Sequence, residues 1–165
     1  MLLRGSSAGK AGCVRRLAVV VLGVAILGSG CTLSPSTPST LRVPPAALDG
    51  IRGIGRVQAE AIRENEDNGN RQIDNLLVID VGATSGREAL DKAADLLAAR
   101  KWVIVAENRP TIVSMDSADW QETHLVLRPF RAYYLEDHPE VLKKMKEASV
   151  KEESLVYLEV FEVAL

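Results

Sequence analysis

Residues 76–97 read LLVIDVGATSGREALDKAADLL, and this stretch sets the first unit of the predicted fold. The continuous apolar run 76–81 is typical of a strand that is buried on both faces. Ser85 and Glu88 have the spacing of a capping box, so we expect a helix from about Gly86 to Arg100. The apolar residues of this helix form one stripe: Ala89, Leu90, Ala93, Ala94 and Leu97.

The rest of the C-terminal half continues this pattern of strands and helices. We expect three strands in succession, over residues 102–107, 111–116 and 123–128. Asp137-His138-Pro139-Glu140 is a helix start, the helix runs to about Ser149, and a last strand covers 155–163. The order is therefore β-α-β-β-β-α-β. Since both helices must cover apolar sheet and crossovers are right-handed, we predict an α+β two-layer sandwich of ferredoxin-like character over residues 75–165.

Composition excludes several classes of protein. The chain has 165 residues, is 47% hydrophobic, 25% charged and 4% aromatic, and carries a formal net charge of −2. A polytopic membrane protein, a disulfide scaffold and a strongly basic nucleic-acid binder are not compatible with these values. Four of the 20 basic side chains lie in residues 1–30, which contain no acid, so 16 basic side chains face 22 acidic ones in the remainder.

The N-terminal 30 residues have the organisation of an export signal. Arg15 and Arg16 precede an apolar run of eleven residues, LAVVVLGVAIL, over 17–27, which small residues follow. A basic region, a short apolar core and small residues before a cleavage point are typical of a secretory signal peptide, which we place at residues 1–30. The apolar run is too short for a transmembrane helix.

The end of this leader, Leu27-Gly28-Ser29-Gly30-Cys31, resembles the lipobox of bacterial lipoproteins. The resemblance implies that Cys31 is the first mature residue and carries a thioether-linked diacylglycerol. Two acyl chains hold a protein stably at a membrane, so the resemblance also implies a cell-membrane location on the extracytoplasmic face. In this lipobox-like segment and in its use of Ala, Val and Arg, the chain is similar to small lipoproteins of actinobacteria. Cys13 lies in the leader, so the mature chain would have no free thiol.

Two segments separate the leader from the predicted domain. Residues 31–50 include SPSTPSTLRVPP, whose four prolines indicate a flexible, extended tether behind the lipidated Cys31. For residues 51–74 we expect a short amphipathic helix from about Arg56 to Glu64 and then a polar loop, ENEDNGNRQIDN, over 64–75. This loop does not match the ligand spacing of a calcium-binding loop.

Residues 48–63, LDGIRGIGRVQAEAIR, allow a second interpretation. They resemble a helix-hairpin-helix motif, in which a Gly-hydrophobic-Gly turn offers backbone N–H groups to a DNA phosphate. Gly53, Gly55 and Arg56 would then bind phosphate. Because the chain after the leader has an excess of acids and nucleic-acid affinity depends on neutralised phosphates, we expect no nucleic-acid partner and keep this interpretation as the alternative.

Residue types with catalytic or metal-binding chemistry are sparse. His124 and His138 do not have the spacing of a metal site, and we predict no metal, no cofactor and no catalytic residue. A small hydrolase using Ser114, Ser117, Asp116 and His124 remains a further alternative, although no glycine-flanked nucleophile turn occurs in this half of the chain.

Side chains typical of protein interfaces cluster around the strand 123–128. We predict a binding face there: Trp120, His124, Arg128, Arg131, Tyr133 and Tyr134. The sequence therefore favours a non-enzymatic, lipid-anchored domain that binds a protein of the cell envelope.

Overall fold

A computed structural model describes residues 39–67, 69–148 and 151–164. The described residues form seven strands and three α-helices. In chain order these are β1 Thr40–Arg42, α1 Pro45–Arg52, β2 Arg56–Asp67, β3 Asn70–Asp80, α2 Gly86–Ala98, β4 Trp102–Asn108, β5 Ile112–Ser117, β6 Thr123–Pro129, α3 Pro139–Glu147 and β7 Leu155–Glu162. Short 3₁₀ turns occupy Ala132–Leu135 and Glu152–Ser154.

The seven strands form one mixed sheet in which β3 is the branching strand. On one side β3 pairs along its whole length with β2, as an antiparallel hairpin. On its other side it pairs with β1, in parallel, at residues 71–73, and with β7, antiparallel, at residues 75–80. The sheet then continues through β6 and β5 to β4, and each of these pairs is antiparallel.

Both faces of the sheet carry apolar core. Alternation along β3 sends Leu77 and Ile79 into a cluster beneath α1 and α2, and Leu76 and Val78 into a cluster beneath α3. In α2, Leu90 and Leu97 are completely buried. Burial of each leucine side chain contributes about 1.5–3 kcal/mol. The helices therefore lie on opposite sides of the sheet.

The predicted start of α2 is confirmed in its details. Ser85 Oγ accepts a hydrogen bond from the Glu88 N–H at 3.3 Å, and α2 begins at Gly86. The Glu88 carboxylate reaches back one residue further than expected, to the Thr84 N–H at 2.8 Å and the Thr84 hydroxyl at 2.6 Å. These donors lower the pKa of Glu88. The ionised carboxylate is therefore favoured at the positive end of the helix dipole.

The individual elements expected from residue 76 onward are confirmed, with ends displaced by one or two residues in most cases. The predicted architecture is nevertheless wrong. The chain is a mostly β fold, with a seven-stranded mixed sheet between helices on both sides, and not a two-layer ferredoxin-like α+β sandwich. One reason is that α3 connects β6 and β7, which are adjacent and antiparallel. The right-handed crossover rule applies only to parallel strands, so it does not place α3 beside α2.

The second reason is the segment before residue 76. The helix expected from Arg56 to Glu64 is wrong, because these residues belong to β2. The polar loop expected over 64–75 is also wrong, because Asp67 pairs with Asn70 and the chain returns at once as β3. Residues 40–52, expected to belong to the tether up to residue 50, form β1 and α1. Compared with the predicted sheet, the observed one has two additional strands, β1 and β2, and β3 is about twice as long as expected.

The predicted signal peptide over residues 1–30 and the predicted lipidation site Cys31 lie outside the described residues. None of the described helices is long and apolar enough to span a membrane.

Candidate binding site

The candidate site forms where β6 leaves the sheet. β6 ends at Pro129, which lies opposite Val156 of β7 and has no backbone N–H to donate to a neighbouring strand. The N–H of Phe130 donates to the carbonyl of Leu155 at 3.0 Å, and the chain then makes the 3₁₀ turn Ala132–Leu135. This turn places Tyr133 and Tyr134 beside the connection between β4 and β5.

A groove of about 440 Å³ lies between these two segments. We call it the tyrosine groove. Its lining residues come from the β4–β5 connection and from the end of β6 with the turn that follows: Pro110, Thr111, Pro129, Arg131, Tyr133 and Tyr134. Tyr133 is 61% exposed, which is the largest exposure of any bulky apolar or aromatic side chain in the described residues. The groove thus offers an aromatic ring, two prolines and a guanidinium to solvent.

Three tyrosine rings in contact support the floor of the groove. The ring centroids of Tyr133 and Tyr134 are 4.3 Å apart and the two rings are tilted by 53°, whereas Tyr134 and Tyr157 stack with centroids 4.7 Å apart and an interplanar angle of 20°. Tyr157 is almost completely buried in the cluster beneath α3. Burial raises the pKa of both Tyr134 and Tyr157 to about 12, so these phenols are neutral at physiological pH. The exposed ring of Tyr133 therefore packs against a stacked pair of tyrosines that begins in the core.

A charged network borders the stack on the same face of the sheet. The guanidinium carbon of Arg128 lies 5.7 Å from the ring centroid of Tyr134, within the range of a cation–π contact. Arg128 also lies 3.6 Å from the carboxylate of Glu159, which Arg63 contacts from the other side. Arg63 in turn bonds Asp74 at 3.0 Å. The network fixes Arg128 against the stack.

The predicted binding-face residues do not all come together. Arg131, Tyr133 and Tyr134 line the tyrosine groove, and Arg128 lies beside it. Two residues lie elsewhere. His124 is farther along β6 on the same face, whereas Trp120 packs against the cluster on the α1–α2 side of the sheet.

His124 forms the closest approach to a catalytic pair. Its Nδ1 lies 2.6 Å from Oδ1 of Asp116 on β5, and its ring stacks at 6.0 Å from that of Phe161. A carboxylate in this position orients an imidazole. Of the two serines considered for a hydrolase, Ser117 is buried and its hydroxyl accepts from backbone N–H groups, and Ser114 pairs with Val126 rather than with His124. The pair therefore has no hydroxyl nucleophile bonded to it among the described residues.

The alternative phosphate-binding residues serve the fold. Gly53 caps the end of α1, and Gly55 passes so close to β3 that a Cβ would lie 2.4 Å from the carbonyl oxygen of Asp80. Arg56 begins β2 and bonds the Asp80 carboxylate at 3.1 Å. A helix-hairpin-helix needs a helix after the second glycine, and a strand is present there. The structure thus contradicts that interpretation of residues 48–63.

Sequence reasoning missed Pro110, Thr111 and Pro129 as lining residues. The available signal was that each proline lies next to one end of an expected strand, where it cannot donate to a neighbouring strand. The described residues also contain no group of three or more His, Cys, Asp or Glu side chains arranged to hold a metal ion.

No protein-family model matches the chain, and neither the curated proteins nor the solved structures compared with it include a significant match.

Proposed function

We propose that this protein is a lipid-anchored, extracytoplasmic binding domain whose tyrosine groove contacts an extended segment of another envelope protein. The observation that carries the proposal is the row of ring contacts from Tyr157 through Tyr134 to Tyr133, which runs from the core to an exposed ring. Tyrosine and arginine are the residue types most enriched at protein interfaces. An exposed tyrosine that already packs against another ring loses little conformational freedom when a partner binds.

The shape and chemistry of the groove favour an extended polypeptide. Grooves lined by aromatic rings and prolines bind segments in the polyproline conformation, which cost little entropy to order. Arg131 lies in the same lining and provides N–H donors for the carbonyls of such a segment. A groove of about 440 Å³ matches a few residues of an extended chain better than a folded surface.

The cellular location is part of the same proposal and depends on residues 1–31. The basic n-region, the apolar run and the resemblance to a lipobox at Cys31 support export and attachment through diacylglycerol. The tether after Cys31 would hold the domain near the outer surface of the membrane.

Photo-crosslinking in intact cells tests the binding surface. A benzophenone amino acid replaces Tyr133 in the full chain, and the same amino acid replaces Ile62 as the matched control. Ile62 is 56% exposed but lies on β2, away from the groove. We expect an adduct of discrete mass from position 133, which mass spectrometry assigns to one envelope protein, and none from position 62.

The adduct must also depend on the groove. We expect Tyr134→Ala to reduce crosslinking from position 133 by at least about tenfold, because loss of an aromatic anchor at an interface costs about 2 kcal/mol. Crosslinking that is equal from both positions, or unchanged by Tyr134→Ala, would contradict the proposal. An adduct with glycan instead of protein would contradict the class of ligand.

Membrane fractionation tests the proposed cellular location separately. We expect the wild-type chain in the membrane fraction, with a mature N-terminus at Cys31 whose mass includes the lipid. Cys31→Ala should move the chain to the soluble extracytoplasmic fraction. An unprocessed leader, or unchanged partitioning of Cys31→Ala, would contradict lipid anchoring without affecting the test of the groove.

A further inference from the structure

The two edges of the sheet differ in character. β2, at one edge, carries charged side chains along its length, including Arg56, Glu60, Arg63 and Glu64. Charges of this kind prevent edge-to-edge association. β4, at the other edge, reads WVIVAEN and has no charged side chain between Trp102 and Ala106. Only one edge of the sheet is therefore protected.

The unprotected edge exposes apolar side chains. The described residues contain five large hydrophobic side chains that are exposed, and three of them are consecutive on β4. Val103 is 54% exposed, Ile104 40% and Val105 54%. A run of exposed β-branched residues on an edge strand is rare in monomeric proteins, because it offers both a backbone ladder and an apolar surface.

Hydrogen bonding shows which backbone groups of β4 face outward. The carbonyl of Lys101 accepts from the Ala118 N–H at 3.0 Å, so Lys101 faces β5. Because direction alternates along an antiparallel strand, the N–H and C=O groups of Trp102 and Ile104 point away from the sheet. A bulge follows between Ile104 and Ala106, so the regular part of the edge is residues 102–104.

We infer that β4 pairs with β4 of a second copy of this chain, antiparallel about a two-fold axis at Val103. In this register Trp102 of one copy and Ile104 of the other form a hydrogen-bonded pair on each side of the axis. The two Val103 side chains meet on the axis itself. An interface of this kind is isologous, since the same strand serves both copies, and it joins the two sheets into one.

Charge at the ends of β4 favours a second copy and the antiparallel direction. The basic residue Lys101 precedes the apolar run and the acidic residue Glu107 follows it, and both side chains are about half or more exposed. Each is in a surface ion pair within its own chain, Lys101 with Asp119 and Glu107 with Arg109. Exposed pairs of this kind contribute little, so both side chains can exchange partners at an interface. Antiparallel pairing brings the basic end of one strand to the acidic end of the other, whereas parallel pairing would bring like charges together. The strand is complementary to itself, which is the property that a dimer requires.

Analytical ultracentrifugation of the full chain in detergent tests the dimer. We expect a concentration-dependent dimer for the wild type. Val103→Lys places two ammonium groups on the axis, and like charges across an interface cost several kcal/mol, so the dissociation constant should rise by at least about a hundredfold. Ile62→Lys is the matched control on β2, and we expect it to leave the dissociation constant within about twofold of wild type.

Amide hydrogen exchange on the wild-type chain keeps the test independent of how the variants fold. The outward N–H groups of Trp102 and Ile104 should become protected as the protein concentration rises through the dissociation constant, and unprotected on dilution. A monomer at all concentrations, or protection at these amides that does not depend on concentration, would overturn the inference. Equal weakening by Val103→Lys and Ile62→Lys would overturn it as well.

Discussion

Replacing Gly55 by alanine would push a methyl group into the backbone of β3. Gly55 lies between α1 and β2, where the chain crosses the end of β3. A Cβ at this position would lie 2.4 Å from the carbonyl oxygen of Asp80, 2.8 Å from a side-chain methyl of Ile79 and 3.1 Å from the carbonyl carbon of Asp80. Two of the three atoms belong to the backbone, so a change of rotamer cannot relieve the contact.

The expected cost follows from these distances. Unstrained contact for a methyl carbon needs about 3.5 Å, so the two backbones must separate by roughly 1 Å. Inserting a methyl group into a packed site costs about 1–3 kcal/mol when side chains can adjust. Here the obstacle is the backbone of β3, which is paired with β2 on one side and with β7 on the other. We therefore expect Gly55→Ala to lower the free energy of unfolding by about 3 kcal/mol, or the Tm by about 10 °C.

Gly50→Ala is the matched control. Gly50 lies inside α1, and a Cβ there would have no heavy atom within 4 Å. Alanine is preferred over glycine in a helix, so this variant should gain about 0.5–1 kcal/mol. Circular dichroism during thermal and urea unfolding of the full chain in detergent measures both variants. A Gly55→Ala variant as stable as wild type would refute the claim that Gly55 is required for the close approach of α1 and β2 to β3.

Two further substitutions test the electrostatics. Burial raises the pKa of Glu162, whose carboxylate accepts from the Arg42 N–H at 3.1 Å. Its ionisation therefore destabilises the fold as the pH rises from the pKa of the unfolded chain through that of the folded chain. We expect Glu162→Gln to raise the Tm at pH 7 and to leave it unchanged at about pH 3.5, and an equal gain at both pH values would count against burial as the cause. Asp74 is 2% exposed and bonds Arg63, so Asp74→Asn should lower the free energy of unfolding, measured in urea, by about 2 kcal/mol. The control Glu147→Gln, on the exposed surface of α3, should lower it by less than about 0.5 kcal/mol. Similar losses for the two variants would show that burial of the ion pair does not matter.

Two of the elements that sequence reasoning placed correctly, α2 and β6, have an apolar pattern that matches their burial. α2 has a single apolar stripe, a capping box and a basic residue after it, and all three agree. β6 alternates between buried residues, including Leu125 and Leu127, and the half-buried His124, Val126 and Arg128, as a strand with one fully covered face does. Local pattern and tertiary environment give the same answer in these segments.

The hairpin of β2 and β3 was missed because its distal half extends past the core. Residues 63–67 of β2 and 70–72 of β3 include no apolar residue, so no alternation of apolar and polar residues marks them as strands. The alanines and glutamates of β2 are also good helix formers. The missed signal was the dipeptide Asn68-Gly69, the strongest short-range indicator of a two-residue hairpin turn. Gly69 has φ +78°, as that turn requires.

The candidate site was predicted in part for a similar reason. Tyr133, Tyr134 and Arg131 were found because residue type alone marks them as interface residues. The side of the sheet to which Trp120 points depends on the loop between β5 and β6, and composition does not encode it. The unprotected edge at β4 could be recognised only after the strand order was known, since a sequence does not show which strand comes last.

The position of β7 determines when this protein can fold. Among the described strands, β7 lies at the centre of the sheet and alone joins the β2–β3 hairpin to the β4–β5–β6 meander, since β3 and β6 do not pair with each other. It is also the last of these strands in chain order. A chain still in synthesis holds two half-sheets with no ladder between them, and pairing across about 80 residues must wait for residue 162.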